Sequence, residues 1–86
     1  MASWGEVVFV SRNQGIAVVR SEDGFTVVEL LGDEGFVQVG DRAIGDWSAG
    51  GGETIRVRGQ ALDAYFQATC GTFGQAVSMA RRMGGG

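Results

Sequence analysis

Short runs of β-branched and aromatic residues are cut at close intervals by glycine and never by proline. With 16 glycines and no proline in 86 residues, the turns must be built from Gly, Asn, Asp and Ser. Frequent sharp turns imply many short strands. Val7-Val8-Phe9-Val10 is one such run, too short for a helix. Arg12-Asn13-Gln14-Gly15 follows, and Gly15 can take the left-handed conformation that closes a short hairpin loop. Ile16-Ala17-Val18-Val19-Arg20 is the returning strand. Ser21-Glu22-Asp23-Gly24 carries an Asp-Gly hairpin signal, and Phe25 to Leu31 is the third strand. The N-terminal third therefore reads as a three-stranded antiparallel meander.

The middle of the chain continues the pattern. Gly32 to Gly35 is a polar loop. Phe36 to Val39 reads as a short extended piece, Arg42 to Ser48 as a fourth strand and Ala49 to Gly52 as a loop. Glu53 to Arg58 alternates, with Ile55 and Val57 on one face and Thr54, Arg56 and Arg58 on the other. Leu62, Ala64, Phe66, Ala68 and Cys70 then alternate with polar residues, a period of two that argues for a further strand, with a helix as the alternative. Thr72 and Gln75 have capping-box spacing. Phe73, Ala76, Val77, Ala80 and Met83 form an apolar stripe at helical spacing, and Arg81 and Arg82 suit the negative end of a helix dipole. The spacing predicts a helix over 72–83 and a frayed tail over 84–86. No internal repeat or interdomain linker interrupts the chain, which reads as a single domain.

Composition narrows the chemistry. There is no histidine and no lysine, and Cys70 is the only cysteine. The commonest general base is missing, lysine chemistry is excluded, and no disulfide can form within the chain. The side chains left for catalysis are carboxylates, arginine, one cysteine and one tyrosine, so no enzymatic activity and no cofactor are expected. Net charge is −3, which weighs against strong non-specific polyphosphate binding. No apolar run approaches the roughly 20 residues of a membrane span. The first residues lack the pattern of a signal peptide. The expected setting is cytoplasmic, with no membrane partner and no small-molecule substrate.

Residues 5–58 resemble the cold-shock and ribosomal S1-type branch of the OB-fold. Gln14-Gly15-Ile16-Ala17-Val18-Val19 occupies the place of that family's first RNA-binding motif. Ser21-Glu22-Asp23-Gly24 matches its Glu-Asp-Gly turn, Thr26-Val27-Val28-Glu29 falls at its second motif, and Val39-Gly40-Asp41 looks like the segment that opens its fourth strand. The resemblance implies an all-β, small five-stranded OB-like barrel over 5–58, with an added C-terminal strand and short helix over 60–83. Such families stack bases on exposed rings. Here the ring positions hold Ile16, Val18 and Val27, and Glu29 and Gln14 replace the family's histidine and lysine. The topology carries over; the binding platform does not.

Ile16, Val18 and Val27 would form an exposed apolar patch on a lone barrel. Phe73, Val77 and Met83 of the helix, or a second copy of the chain, are the candidates to cover it. Arg56 and Arg58, with Arg42 or Arg20 near them, are the candidate contacts to a nucleic-acid backbone. Trp47 and Trp4 are candidate stacking or anchor residues, one of them expected in the core. Cys70 reads as a small buried residue and Gly50-Gly51-Gly52 as a hairpin connection. Asp33, Glu34, Asp41 and Asp46 form an acidic region too loosely spaced for a calcium site. The leading expectation is a non-enzymatic interaction module whose partner is a protein or another copy of itself. The alternative is single-stranded RNA or DNA binding away from the family's aromatic platform.

Overall fold

The structure is a computed structural model that describes residues 2–11, 13–32 and 34–84. Six strands follow in chain order: β1 (Ser3–Ser11), β2 (Ile16–Ser21), β3 (Gly24–Leu30), β4 (Arg42–Gly45), β5 (Gly51–Val57) and β6 (Gln60–Cys70). Helix α1 (Phe73–Gly84) ends the chain. The strands close into an antiparallel barrel in the order β1-β2-β3-β6-β5-β4, with β4 returning to β1. The chain is thus all-β with a short C-terminal helix. The added strand is not appended to a finished barrel. It is part of the wall, between β3 and β5.

Local chemistry explains the connections. Ser21 pairs with Gly24 across a two-residue turn, and the Asp23 amide donates to the Ser21 hydroxyl at 3.1 Å. Val57 pairs with Gln60 across Arg58-Gly59. Both turn residues are left-handed, with φ of 50° at Arg58 and 81° at Gly59, as a type I′ hairpin turn requires. Arg58 therefore belongs to the turn and does not share a strand face with Arg56, contrary to the alternation expected from sequence. The fourth strand stops at Gly45, shorter than the expected 42–48, because Trp47 leaves the wall to fill the interior. Phe36 to Val39 is not extended throughout. A single 3₁₀ turn spans Glu34–Phe36, and Val37 drops into the core.

The interior is aliphatic and aromatic. Val7, Ala17, Val19, Val28, Leu30, Val37, Ile55, Val57, Leu62 and Phe66 are buried there with Trp47. Fully burying such a side chain is worth roughly 1.5–3 kcal/mol. Trp47 stacks on Phe66, with ring centroids 5.3 Å apart and 14° between planes. Its indole N–H donates to the Ser3 carbonyl at 2.8 Å, which satisfies the one polar atom of the ring. Buried Thr26 shares a 3.1 Å hydrogen bond with Thr69.

A second cluster lies outside the barrel wall. Ile16, Val18 and Val27 are buried with Ala76 and Ala80 of α1. Two bulges shape this face. One lies between Val7 and Phe9 in β1 and brings Val8 and Phe9 to the cluster. The other lies where Val27 and Val28 face Ala68 and Phe66, leaving Gln67 as the extra residue. Thr72 caps α1, accepting the Gln75 amide at 3.2 Å. The small side chains of Ala76 and Ala80 let the helix axis approach the sheet.

Candidate functional site

The predicted contact residues separate into two groups. Ile16, Val18 and Val27 form the floor under Ala76 and Ala80 of α1, and Val77 is buried as well. Met83 is half-buried against the same cluster. Phe73 departs from expectation. Its side chain is 44% exposed, and its ring meets Phe25 in an edge-to-face contact, with centroids 6.1 Å apart and 70° between planes. Arg81 extends over the Phe9 ring, 5.9 Å from its centroid. The apolar patch is therefore covered within the chain by α1, the first of the two covers the sequence suggested.

The candidate nucleic-acid contacts are also redistributed. Trp47 is fully buried and cannot meet a ligand. Arg58 lies over the Phe36 ring at 4.2 Å, donates to the Phe36 carbonyl and pairs with Asp41 at 3.5 Å. It clamps the 36–41 loop to the barrel. Of Arg56, Arg58 and Trp47, Arg56 alone remains on an open strand surface.

That surface holds what the sequence left scattered. Trp4 is opposite Ile44, Ile44 opposite Arg56 and Arg56 opposite Ala61, in one row across β1, β4, β5 and β6. In the next row Arg20 faces Glu6 and Glu6 faces Arg42. Trp4 is 59% exposed and Ile44 48%. The Arg42 guanidinium lies 4.9 Å above the Trp4 ring centroid, an arrangement worth about 0.5–1 kcal/mol where exposed. Arg20 pairs with Glu6 at 2.6 Å, and an exposed pair contributes roughly 0–1 kcal/mol. A groove lined by Ser3, Trp4, Glu6, Arg20, Ser21 and Glu22 runs along the tryptophan. Of the two tryptophans, one is core and one is surface, as expected. Ile44 was not singled out from sequence. The signal was Arg42-Ala43-Ile44-Gly45, where the small residues fill the inward positions and force the large aliphatic one outward.

The remaining candidates have structural places. Cys70 is half-buried in the cluster beneath α1. Gly51 and Gly52 begin β5 and pair with Phe66 and Tyr65. Asp33 lies outside the described residues. Asp41 accepts the Gln38 amide at 2.9 Å. Ser48 donates to Asp46 at 2.9 Å and helps hold that carboxyl below the usual range. Among the described residues no three His, Cys, Asp or Glu side chains converge as a metal would need, and no helix is long and apolar enough to cross a membrane. Compared with family models, curated proteins and solved structures, the chain gives no significant match to any of them.

Proposed function

We propose that this chain is a non-enzymatic protein-interaction module that engages its partner through the outer face of β1, β4 and β5. The observation that carries the reading is the in-register row Trp4–Ile44–Arg56, with a tryptophan and an isoleucine each about half exposed side by side. Tryptophan and arginine are the side chains most enriched among binding hot spots, and here they share one surface. The sequence offers neither histidine nor lysine for catalysis, in keeping with a binding role.

A relationship to OB-fold proteins of the cold-shock type is part of this proposal. The meander β1-β2-β3 and the β1–β4 pairing support it. OB-folds bind oligonucleotides on the face of their second and third strands. In this chain α1 covers Ile16, Val18 and Val27 on those strands, so a partner must use another surface. Single-stranded nucleic acid is the second reading, favoured by one observation: an exposed indole with Arg42 on its ring and Arg56 two strands away.

A photo-crosslinking amino acid placed at Ile44, in cells, separates the readings. A discrete protein adduct is expected, absent when the same group replaces Glu29 across the barrel and reduced at least about tenfold by Trp4→Ala, as for a hot-spot residue. A nuclease-sensitive adduct would establish the second reading instead. No adduct above background would reject both.

A further inference from the structure

Resting on that reading, we infer that the partner supplies an extended acidic segment in which carboxylates flank an apolar side chain, seated on Ile44 between Arg42 and Arg56. The argument is charge complementarity. The chain carries net charge −3, yet this face gathers Arg20, Arg42 and Arg56. Arg20 is neutralised by Glu6. Arg42 and Arg56 form no ion pair among the described residues. Among the described residues Arg42 is held by the Trp4 ring, and a cation–π contact leaves the guanidinium N–H groups free to meet a carboxylate. Asp63 lies in the next row, opposite Thr54, and makes no ion pair with Arg56.

The spacing selects an extended ligand. The Arg42 guanidinium lies over Trp4, so it and Arg56 flank Ile44 from its two neighbouring strands, each about 5 Å from the strand of Ile44. An extended peptide repeats its side chains on one face about every 7 Å, within reach of the long arginine side chains on either side of Ile44. Alternate positions of an acidic–apolar–acidic run can therefore reach one arginine, the Trp4–Ile44 surface and the other arginine together. Planar guanidinium suits carboxylate with two parallel hydrogen bonds. Nucleic acid fits less well: the centre of the face is aliphatic, one ring is available for stacking, and two cations release few counterions.

The test is a titration of the full chain, followed by nitrogen–proton correlation NMR, with three probes. These are an acetylated peptide containing Glu-Ser-Leu-Ser-Glu, its isostere with lysine at the acidic positions, and a thymidine oligonucleotide. The acidic peptide should shift the Trp4 indole signal and the amides of residues 3–6, 42–45 and 54–57. The lysine peptide should bind at least about tenfold more weakly, and the double variant R42Q/R56Q should lose about tenfold or more toward the acidic peptide. Both arginines are exposed, so the variant keeps its fold, which its spectrum reports directly. R42K/R56K should recover part of the loss. Equal binding of the two peptides at this face would overturn the acidic partner while leaving the interaction face standing. Shifts confined to another surface, or tighter binding of the oligonucleotide here, would also overturn it. Absence of a protein adduct at Ile44, by contrast, removes the underlying reading itself.

Discussion

At Gly5 a methyl group would lie 2.6 Å from Val19 Cγ1 and 2.8 Å from the Arg20 carbonyl. Neither neighbour can yield without moving β2, because both belong to the central pairing of β1 with β2. Gly5→Ala should therefore destabilise the chain by about 1–3 kcal/mol, the usual cost of overpacking. Gly50→Ala is the control. A Cβ there meets nothing within 4 Å, and the change should stay within about 0.5 kcal/mol. Urea titrations of the two variants give the comparison, and equal midpoints would refute the close-approach argument. The two tryptophans offer a second reading at this scale. Acrylamide should quench the emission of exposed Trp4 and spare that of buried Trp47, so Trp4→Phe should leave a blue-shifted, quench-resistant spectrum. Which tryptophan was core could not be read from the sequence. Trp4 follows a serine and Trp47 an aspartate, and the deciding fact is tertiary: Trp47 has Phe66 to stack on and the Ser3 carbonyl to satisfy its N–H.

Strands were legible where hairpin chemistry or strict alternation marked them. β2 and β3 match the runs around the Asp-Gly turn, and β6 shows its period of two through Leu62, Ala64 and Phe66. α1 was legible through its cap and stripe, within one residue at each end. What escaped was the geometry at element ends. The stripe placed Phe73 with Ala76 and Val77, but Phe73 is the first residue of the helix and stays 44% exposed beside its edge-to-face contact with Phe25. Phe73→Ala should thus cost less than the roughly 3–5 kcal/mol of a fully buried ring. The helix as a unit matters more. Alone in water a helix of this length is marginal, so packing on Ile16, Val18 and Val27 holds it. Ending the chain after Gly71 uncovers those three side chains with Phe9 and Phe25. An exposed apolar face of that kind drives association. Size-exclusion chromatography with light scattering should show a monodisperse intact chain and an aggregating truncated one. A soluble, equally stable truncated barrel in the same oligomeric state would mean that α1 is not needed as cover.

Closure is the property of the whole molecule that no local pattern announced. Residues 5–58 carry five strands, and the resemblance to a five-stranded barrel suggests that they close on themselves. The structure divides them differently. β1 joins β2 on one side and β4 on the other, which leaves β3 and β5 as the two open edges of a five-stranded sheet. β6 pairs with both, Phe25 to Cys70 at one end of the first seam and Val57 to Gln60 at one end of the second. It also brings Leu62, Ala64 and Phe66 into the interior, including the ring on which Trp47 stacks. Removing a large buried side chain costs about 2–5 kcal/mol, and two such residues approach the roughly 5–15 kcal/mol that hold a domain together. Two unpaired edges are in addition templates for aggregation. A chain ending at Gly59 should therefore lack a cooperative thermal transition by circular dichroism, and Trp47 should become accessible to acrylamide. Adding a peptide of residues 60–86 should restore both the transition and the protection, because β6 is a continuous strand joined to the rest by a two-residue turn. A cooperative transition in residues 1–59 alone would show instead that the five strands find their own closure and that β6 is inserted into a barrel already able to stand.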